Sequence, residues 1–330
     1  MKKEIIKFIK TAALFIIVAI VLFLIINTVY VKFFLSKNLQ ARAEVQLQDF
    51  IKDKTQIDYL ILGDSHAHQA INPQYLPNSF NLAHSANTYV ENYYKLRRLL
   101  YDEKIKVKYL LLEVDMSSFS SYMKGPMPLK REFWYYANFV PVKDIRNITR
   151  ASEFEIRIMN IFPVLGRGED MLALLFQNTS RQVLGWASYD TNISQQNITA
   201  LVTQRAQSMF LGQKRTDPLL VEYYIKILEL AKENNITVIL VKYPVLKQYD
   251  EELNNMNVTK DDYYDYIYAL ASTYLDKYYV LDYYSLFFNQ TNYEFTTSDY
   301  FSDPDHVNTM GAEILSQKVS TDLKKNGLMK

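Results

Sequence analysis

From Ala12 to Ile26 no polar side chain interrupts the chain. Asn27 and Thr28 break the run, and Val29, Tyr30, Val31 and the Phe33–Leu35 patch extend it. At a helical rise of about 1.5 Å per residue, such a segment crosses a hydrocarbon core of about 30 Å. Lys2, Lys3, Lys7 and Lys10 precede it. Basic residues stay on the cytoplasmic side, so the expectation is a single-pass cell-membrane protein with a cytoplasmic N-terminus and an extracytoplasmic bulk. Lys32 and Lys37 weaken that bias slightly. The rival is a cleaved signal peptide, but no small-x-small site closes the apolar run, and Ala41-Arg42-Ala43 lies well beyond it. An uncleaved anchor over residues 1–35 is therefore expected.

Residues 36–56 follow as a stalk. Leu39, Ala43, Leu47, Phe50 and Ile51 recur at helical spacing among polar residues, which predicts an amphipathic helix leaving the membrane. Then short, nearly continuous apolar runs appear at Ile57–Leu62, Val107–Val114, Ile236–Val241 and Tyr279–Leu281, with a weaker one at Ser79–Leu82. Runs of this length and composition suit strands buried on both faces, as in parallel sheets. Helical patterns lie between them at Tyr89–Tyr101, Pro218–Asn234 and Asp261–Lys277, and Thr309–Lys325 closes the chain. Alternation of this kind means βαβ units, with any site outside the carboxyl ends of the strands. Residues 116–216 break the rhythm. They are rich in aromatic side chains (Trp134, Tyr135, Tyr136, Phe139, Trp186) and predict an irregular insertion with helix near 151–160 and 168–178, either a lid or substrate platform or a satellite packing unit. An apolar fraction of 49% leaves ample material for a core.

Composition removes several functions. With no cysteine among 330 residues, disulfides, thiolate zinc sites, iron–sulfur clusters and a cysteine nucleophile are excluded. A net charge of +1, with no long basic run after the N-terminus, gives nucleic acid no electrostatic footprint.

The first strong strand ends in Leu62-Gly63-Asp64-Ser65-His66-Ala67-His68. A serine on a tight turn after a buried strand sits at the carboxyl edge of the sheet. Its hydroxyl is a poor nucleophile unless a base takes the proton. Near the other end stands Ser302-Asp303-Pro304-Asp305-His306-Val307-Asn308, a loop before the last helix. The three-residue spacing lets Asp303 accept from His306 Nδ1–H while Nε2 faces a third group, the base-and-orienter pair of a triad in the order Ser…Asp…His. Asp305 competes with Asp303 as orienter. Asn308 suits the cap of the final helix.

Gly63-Asp64-Ser65 after the first strand, with Asp303-x-x-His306 before the last helix, resembles the SGNH (GDSL-type) hydrolase superfamily over about residues 57–330, the insertion excepted. The resemblance implies a flavodoxin-like three-layer α/β/α fold, with Ser65 as nucleophile, His306 as general base and acid, and Asp303 as its orienter. It also implies oxyanion donors from the serine N–H, a glycine N–H in a second block and an asparagine in a third. Asn81–Asn87 resembles the second block, with Ala86 where glycine is usual. The third block is missing: Asp115-Met116-Ser117 follows the strand instead. Asn87 or Ser117 are the substitutes within reach. The anchor and the missing block are similar to a branch of membrane-tethered proteins that work beside multi-spanning O-acyltransferases on cell-envelope polymers. That implies an acyltransferase or esterase acting on acyl esters of an extracytoplasmic polysaccharide, with no cofactor.

Two other classes stand beside it. Asp64-x-His66, with Asp303 and His306, offers hard donors for a metal-dependent phosphoesterase, although no second Asp-rich block accompanies them. A non-catalytic tethered scaffold would account for the incomplete oxyanion hole. His66 and His68 then read as turn residues and His84 as structural.

Overall fold

The computed structural model describes residues 2–125, 132–167, 182–193, 197–289 and 297–330. The apolar N-terminal run forms α1 (Lys2–Val29), which continues through a π turn at Tyr30–Phe34 and a 3-10 turn at Leu35–Lys37. It is one helix long and apolar enough to span a membrane, and nearly all of its large side chains are exposed. Helix α2 (Leu39–Ile51) begins at Asn38, whose side chain accepts from Ala41 N. Its helical character matches the expected stalk, but it does not stand off the domain. Leu47 and Ile51 join the main core, and Glu44 accepts from Arg98. An apolar stripe on a helix is buried against the nearest complementary surface, and here that surface is the domain itself.

Five parallel strands make the central sheet: β1 (Gln56–Leu62), β2 (Ser79–Asn81), β3 (Lys106–Glu113), β6 (Thr237–Lys242) and β7 (Tyr278–Asp282), in the order β2-β1-β3-β6-β7. A separate two-stranded hairpin, β4 (Gln182–Val183) and β5 (Trp186–Ala187), belongs to the insertion. The register places Leu60 beside Leu110 and Leu110 beside Val238. Leu60, Ile61, Leu110, Leu111, Val238 and Ile239 are wholly buried. Each such side chain contributes about 1.5–3 kcal/mol relative to exposure, which is why the apolar runs become the inner strands.

Between these strands lie α3 (Ser65–Ala70) and α4 (Tyr89–Tyr101). Within the insertion are α5 (Phe133–Tyr136), α6 (Val142–Thr149), α7 (Glu153–Ile161), α8 (Val164–Arg167) and α9 (Ile198–Phe210). The remainder are α10 (Pro218–Glu233), α11 (Lys247–Asn255), α12 (Lys260–Tyr274) and α13 (Thr309–Lys325). Helices α4, α10 and α12 pack in succession, and α13 packs on α3. Local chemistry explains the ends. Thr88 and Glu91 form a reciprocal capping box on α4, Asp217 caps α10 with Pro218 at its first position, and Asn308 accepts from Gly311 N at the start of α13.

The insertion is more regular than its composition suggests. Phe133 and Tyr136, in the short helix α5, and Trp186, on β5, are fully enclosed. The helix expected at 168–178 lies outside the described residues. The hairpin docks on the edge strand: Asn81 N donates to Leu184 O, and Trp186 Nε1 donates to Gln69 O. Gly185 lies at φ +84°, where a Cβ would meet Asn81 O at 1.8 Å, so this close approach requires glycine.

Candidate active site

Strand β1 ends at Leu62, and the chain turns through Gly63 and Asp64 into α3 with Ser65 as its first residue. Asp64 caps the turn, accepting from His66 N at 2.8 Å. The floor is Glu113, at the end of β3. Its Oε2 accepts from Asp64 N at 2.7 Å and from Ala67 N at 3.4 Å, while Oε1 accepts from Ser118 Oγ at 2.6 Å. A Cβ on Gly63 would lie 2.3 Å from Glu113 Oε2 and 2.6 Å from Ala67 Cβ, so carboxylate and glycine are matched in shape. The N–H groups of Asp64, His66 and Ala67 are thus engaged by carboxylates. The Ser65 N–H has no acceptor among the described residues.

The Ser302–Asn308 loop reaches the same place from the far end of the chain. An antiparallel bridge between Phe301 and Val307 closes it, and Leu246 N donates to Pro304 O, tying it to the segment after β6. Asp303 Oδ1 accepts from the backbone N–H of Asp305 and of His306. Its carboxylate lies 2.8 and 2.9 Å from His306 Nδ1. On the other side of the ring, His306 Nε2 is 2.7 Å from Ser65 Oγ, across a separation of 241 residues. The structure therefore brings Ser65, His306 and Asp303 into one continuous hydrogen-bonded chain.

Asp305 is a second carboxylate on the same imidazole, 3.3 Å from Nδ1. The two acids differ in setting. The Asp303 side chain is 45% exposed, and that of Asp305 is 1% exposed. Arg205 Nε lies 2.9 and 3.0 Å from the two oxygens of Asp305. Burial by itself would raise the Asp305 pKa, but Arg205 and His306 hold it well below the usual carboxylate range. Burial would likewise lower His306, yet Asp303 and Asp305 outweigh it and lift its pKa to about 9.

His66 stacks obliquely on His306, with ring centroids 4.5 Å apart. Its Nδ1 is 2.8 Å from Asp115 Oδ2 and its Nε2 is 3.2 Å from Asp305 Oδ2. Neither contact lies along the ring N–H direction, so both are charge contacts rather than aligned hydrogen bonds. Burial opposes the charged ring, but Asp64, Asp115, Asp305 and Glu113 together raise its pKa well above the ordinary value. Asp64, in turn, is pushed up by burial and by Glu113. His66 is thus more than a turn residue: it is the buried counter-charge of the acids beneath Ser65.

The second block is organised by a buried lysine. Lys95 Nζ, on α4, donates to Leu82 O at 2.8 Å and to Asn87 Oδ1. Burial lowers its pKa to about 8, against the opposing pull of Glu91. Asn81 ties the same loop to α3, donating to Ala67 O and Ile71 O and accepting from Ala83 N. Ala86, where glycine was expected, has φ +58°, the backbone region that glycine adopts freely. Its N–H has no acceptor among the described residues. Asn87 donates from Nδ2 to Tyr136 OH at 2.6 Å and accepts from Lys95. Its carboxamide is held by those partners, and no hydrogen bond joins it to Ser65. Ser117 lines a small cavity together with His66, Met116, Tyr249 and Asp305. The position of the missing third block is used by Asp115, which accepts from Tyr243 N at 2.9 Å and faces His66.

His68 and His84 sit in the framework. His68 Nε2 donates to Gly185 O at 3.1 Å, and burial holds its pKa well down. His84 Nε2 is 3.1 Å from Glu132. Two sets of possible metal donors, His66/Asp305/His306 and Asp64/His66/Glu113, have their ligand atoms within 4.8 Å. They fit a cation poorly. Both nitrogens of His306 already face Ser65 and Asp303, a guanidinium covers Asp305, and Glu113 is occupied by backbone N–H groups and Ser118.

Sequence reasoning missed Glu113 and Arg205. For Glu113 the signal was present, since an acid ending an otherwise apolar strand at the sheet's carboxyl edge needs a buried partner. Arg205 lies in the insertion, 100 residues from Asp305, and no local pattern marks it. Comparisons with protein-family models and with curated proteins return no match.

Proposed function

We propose that this chain is a membrane-anchored serine acyltransferase or esterase of the SGNH type, acting on acyl esters of an extracytoplasmic polymer. The observation that carries the proposal is the 2.7 Å approach of His306 Nε2 to Ser65 Oγ, with Asp303 2.8 Å behind Nδ1. The strand order β2-β1-β3-β6-β7, hairpin strands set aside, corresponds to the doubly wound order 2-1-3-4-5. Together with the two separate helix groups, it supports a flavodoxin-like three-layer arrangement.

In the acylation step Ser65 Oγ bonds to the ester carbonyl carbon as its proton passes to His306 Nε2. Asp303 holds the ring and stabilises the imidazolium. The carbonyl oxygen takes the negative charge, facing the Ser65 and Ala86 N–H groups, each such donor being worth ~3 kcal/mol in an enclosed site. His306 returns the proton to the departing alkoxide, leaving acyl-Ser65. A sugar hydroxyl or water then attacks that ester, and the steps run in reverse. Helix α1 supports a tether, and the lysines in its first turns, before the apolar run, support a cytoplasmic N-terminus. A multi-spanning membrane acyltransferase is the partner the sequence resemblance suggests as acyl source.

Hydrolysis of a chromogenic acetyl ester by the full-length chain in detergent tests the proposal. Turnover lost in Ser65→Ala, retained with chelator, and accompanied by an acyl adduct on Ser65 in intact-mass measurement is the expected result. Chelator-sensitive turnover that survives Ser65→Ala would establish metal chemistry in its place. Neither turnover nor adduct would leave a scaffold.

A further inference from the structure

Helices α7 and α8 turn back onto the N-terminal helix. Phe162 meets Phe23 edge to face, with ring centroids 5.2 Å apart, and Val164 N donates to Asn27 Oδ1 at 3.4 Å. Val164 also closes a small cluster with Tyr30 and Leu35, flanked by Phe34 and Trp134. Phe23 precedes Lys32 by nine positions. At the helical rise it therefore lies ~13 Å along α1 from that lysine, inside the apolar run.

Helix α7 has two apolar faces. Ile156 is wholly buried, toward the domain. The other face carries Phe154, Ile158 and Ile161, at the i, i+4, i+7 positions of one stripe. Phe154 is 73% exposed, Ile161 64% and Leu165, just beyond, 47%. Large apolar side chains grouped beside a helix that itself spans apolar surface require a covering phase. Within α7 the charged side chains lie among its first five residues, where Glu153 and Arg157 pair with each other and Ser152 and Glu155 form a capping box, while α8 ends at Arg167.

We infer that the α7–α8 unit is a second membrane contact, its Phe154/Ile161/Leu165 face resting in the acyl chains of the leaflet nearest the domain. The inference rests on α1 spanning the bilayer. The occupant is lipid because the segment next to this face, Phe162–Val164, is packed on α1 at a level within the apolar run. The polar start of α7 then faces the headgroups, and Trp134 and Tyr30 stand where aromatic side chains gather at membrane boundaries. Such a contact fixes the domain against the bilayer instead of leaving it free to swing from a single tether.

The native chain contains no cysteine, so single spin labels are placed without background. Ile161→Cys, Leu165→Cys, Phe15→Cys in α1 and Tyr101→Cys on α4 are each labelled in the full-length chain, reconstituted in phosphatidylcholine–phosphatidylglycerol vesicles. Collisions with oxygen and with a water-soluble nickel chelate are then compared. Labels at 161 and 165 should match 15, with an oxygen-to-nickel ratio several-fold above that at 101. A ratio equal to that at 101 overturns the inference, and so does shielding from both reagents, which means a protein surface covers the face. A water-accessible label at 15 would instead refute the spanning helix, so the two failures are told apart.

Discussion

Two loops bring Ser65 and His306 together, and they are built on opposite principles. The Gly63–Ser65 turn is held by a remote residue: Glu113, on another strand, binds the N–H of Asp64 within it and of Ala67 just beyond it, and the fit leaves no room for a Cβ at Gly63. The Ser302–Asn308 loop is ordered chiefly from within, with Leu246 and Arg205 as outside ties. Asp303 gathers two N–H groups and the imidazole within three residues, and the Phe301–Val307 bridge closes the base. The serine turn is thus fixed by shape, and the histidine loop by charge. Substitutions in the first should register in stability, and those in the second in rate and pH dependence.

The largest effect should come from separating the two acids of the histidine loop. Asp303→Asn removes the carboxylate aligned with Nδ1 and is expected to lower turnover of an acetyl ester on the order of 10³-fold, with little change in fold. Asp305→Asn leaves that alignment intact but strands Arg205 and His66 without their shared acid. It should cost mainly stability, read as a lower denaturant midpoint, because a buried charge loses its partner. Equal rate losses in both variants would break the distinction, making the pair a single diffuse base-orienting unit.

Gly63→Ala tests the shape principle. The new methyl would overlap Glu113 and Ala67, so the turn must shift or the carboxylate must leave its N–H partners. A destabilisation of about 3 kcal/mol is expected in chemical unfolding. An unchanged midpoint would mean that the turn yields easily and that Glu113 is not a rigid floor.

Charge in the histidine loop also sets a pH profile. Only the neutral imidazole can accept the Ser65 proton, and Asp303 and Asp305 lift the His306 pKa to about 9. Turnover should therefore rise about tenfold per pH unit below that pKa and level off above it, about a hundredfold higher than at neutrality. Stability runs the other way. The folded pKa lies above the ordinary histidine value of about 6.5, so the contribution is complete below that value and is lost as pH rises through about 9. A rate plateau already reached near neutrality would show that the acids do not hold the ring charged. Asp303→Asn should move the rise toward lower pH.

The same contrast explains what the sequence discloses. Local patterns were legible: α4 spans Tyr89–Tyr101 and α13 spans Thr309–Lys325 as their periodicity predicts, and Asn308 caps the latter. The Asp303-x-x-His306 pair is local too, and its spacing alone foretells the Nδ1 contact. The approach of His306 to Ser65 was an inference from strand ends, since nothing within either segment refers to the other. Glu113 and Arg205 act across 49 and 100 residues through tertiary packing, so neighbour patterns do not encode them. The stalk was legible as a helix but not as part of the domain, because an amphipathic stripe states that a face will be covered and not by what. The insertion was the least legible, since aromatic clustering gives neither a period nor a boundary.

The smallest expected effect concerns the second-block loop, which combines the two principles. Lys95 and Asn81 fix it from outside, as Glu113 fixes the serine turn, yet it carries local strain of its own. Ala86 sits at φ +58°, where an L side chain crowds the neighbouring carbonyl at a cost of roughly 1–2 kcal/mol. Glycine relieves that strain but enlarges the conformational freedom of the unfolded chain, returning about half of the gain. Ala86→Gly should therefore stabilise the protein by less than about 1 kcal/mol while leaving turnover within about twofold, since the N–H remains in place. Destabilisation on unfolding would mean that the loop's external ties, and not backbone preference, determine its shape. A large rate loss with unchanged stability would show that the alanine methyl itself orders the Ala86 N–H.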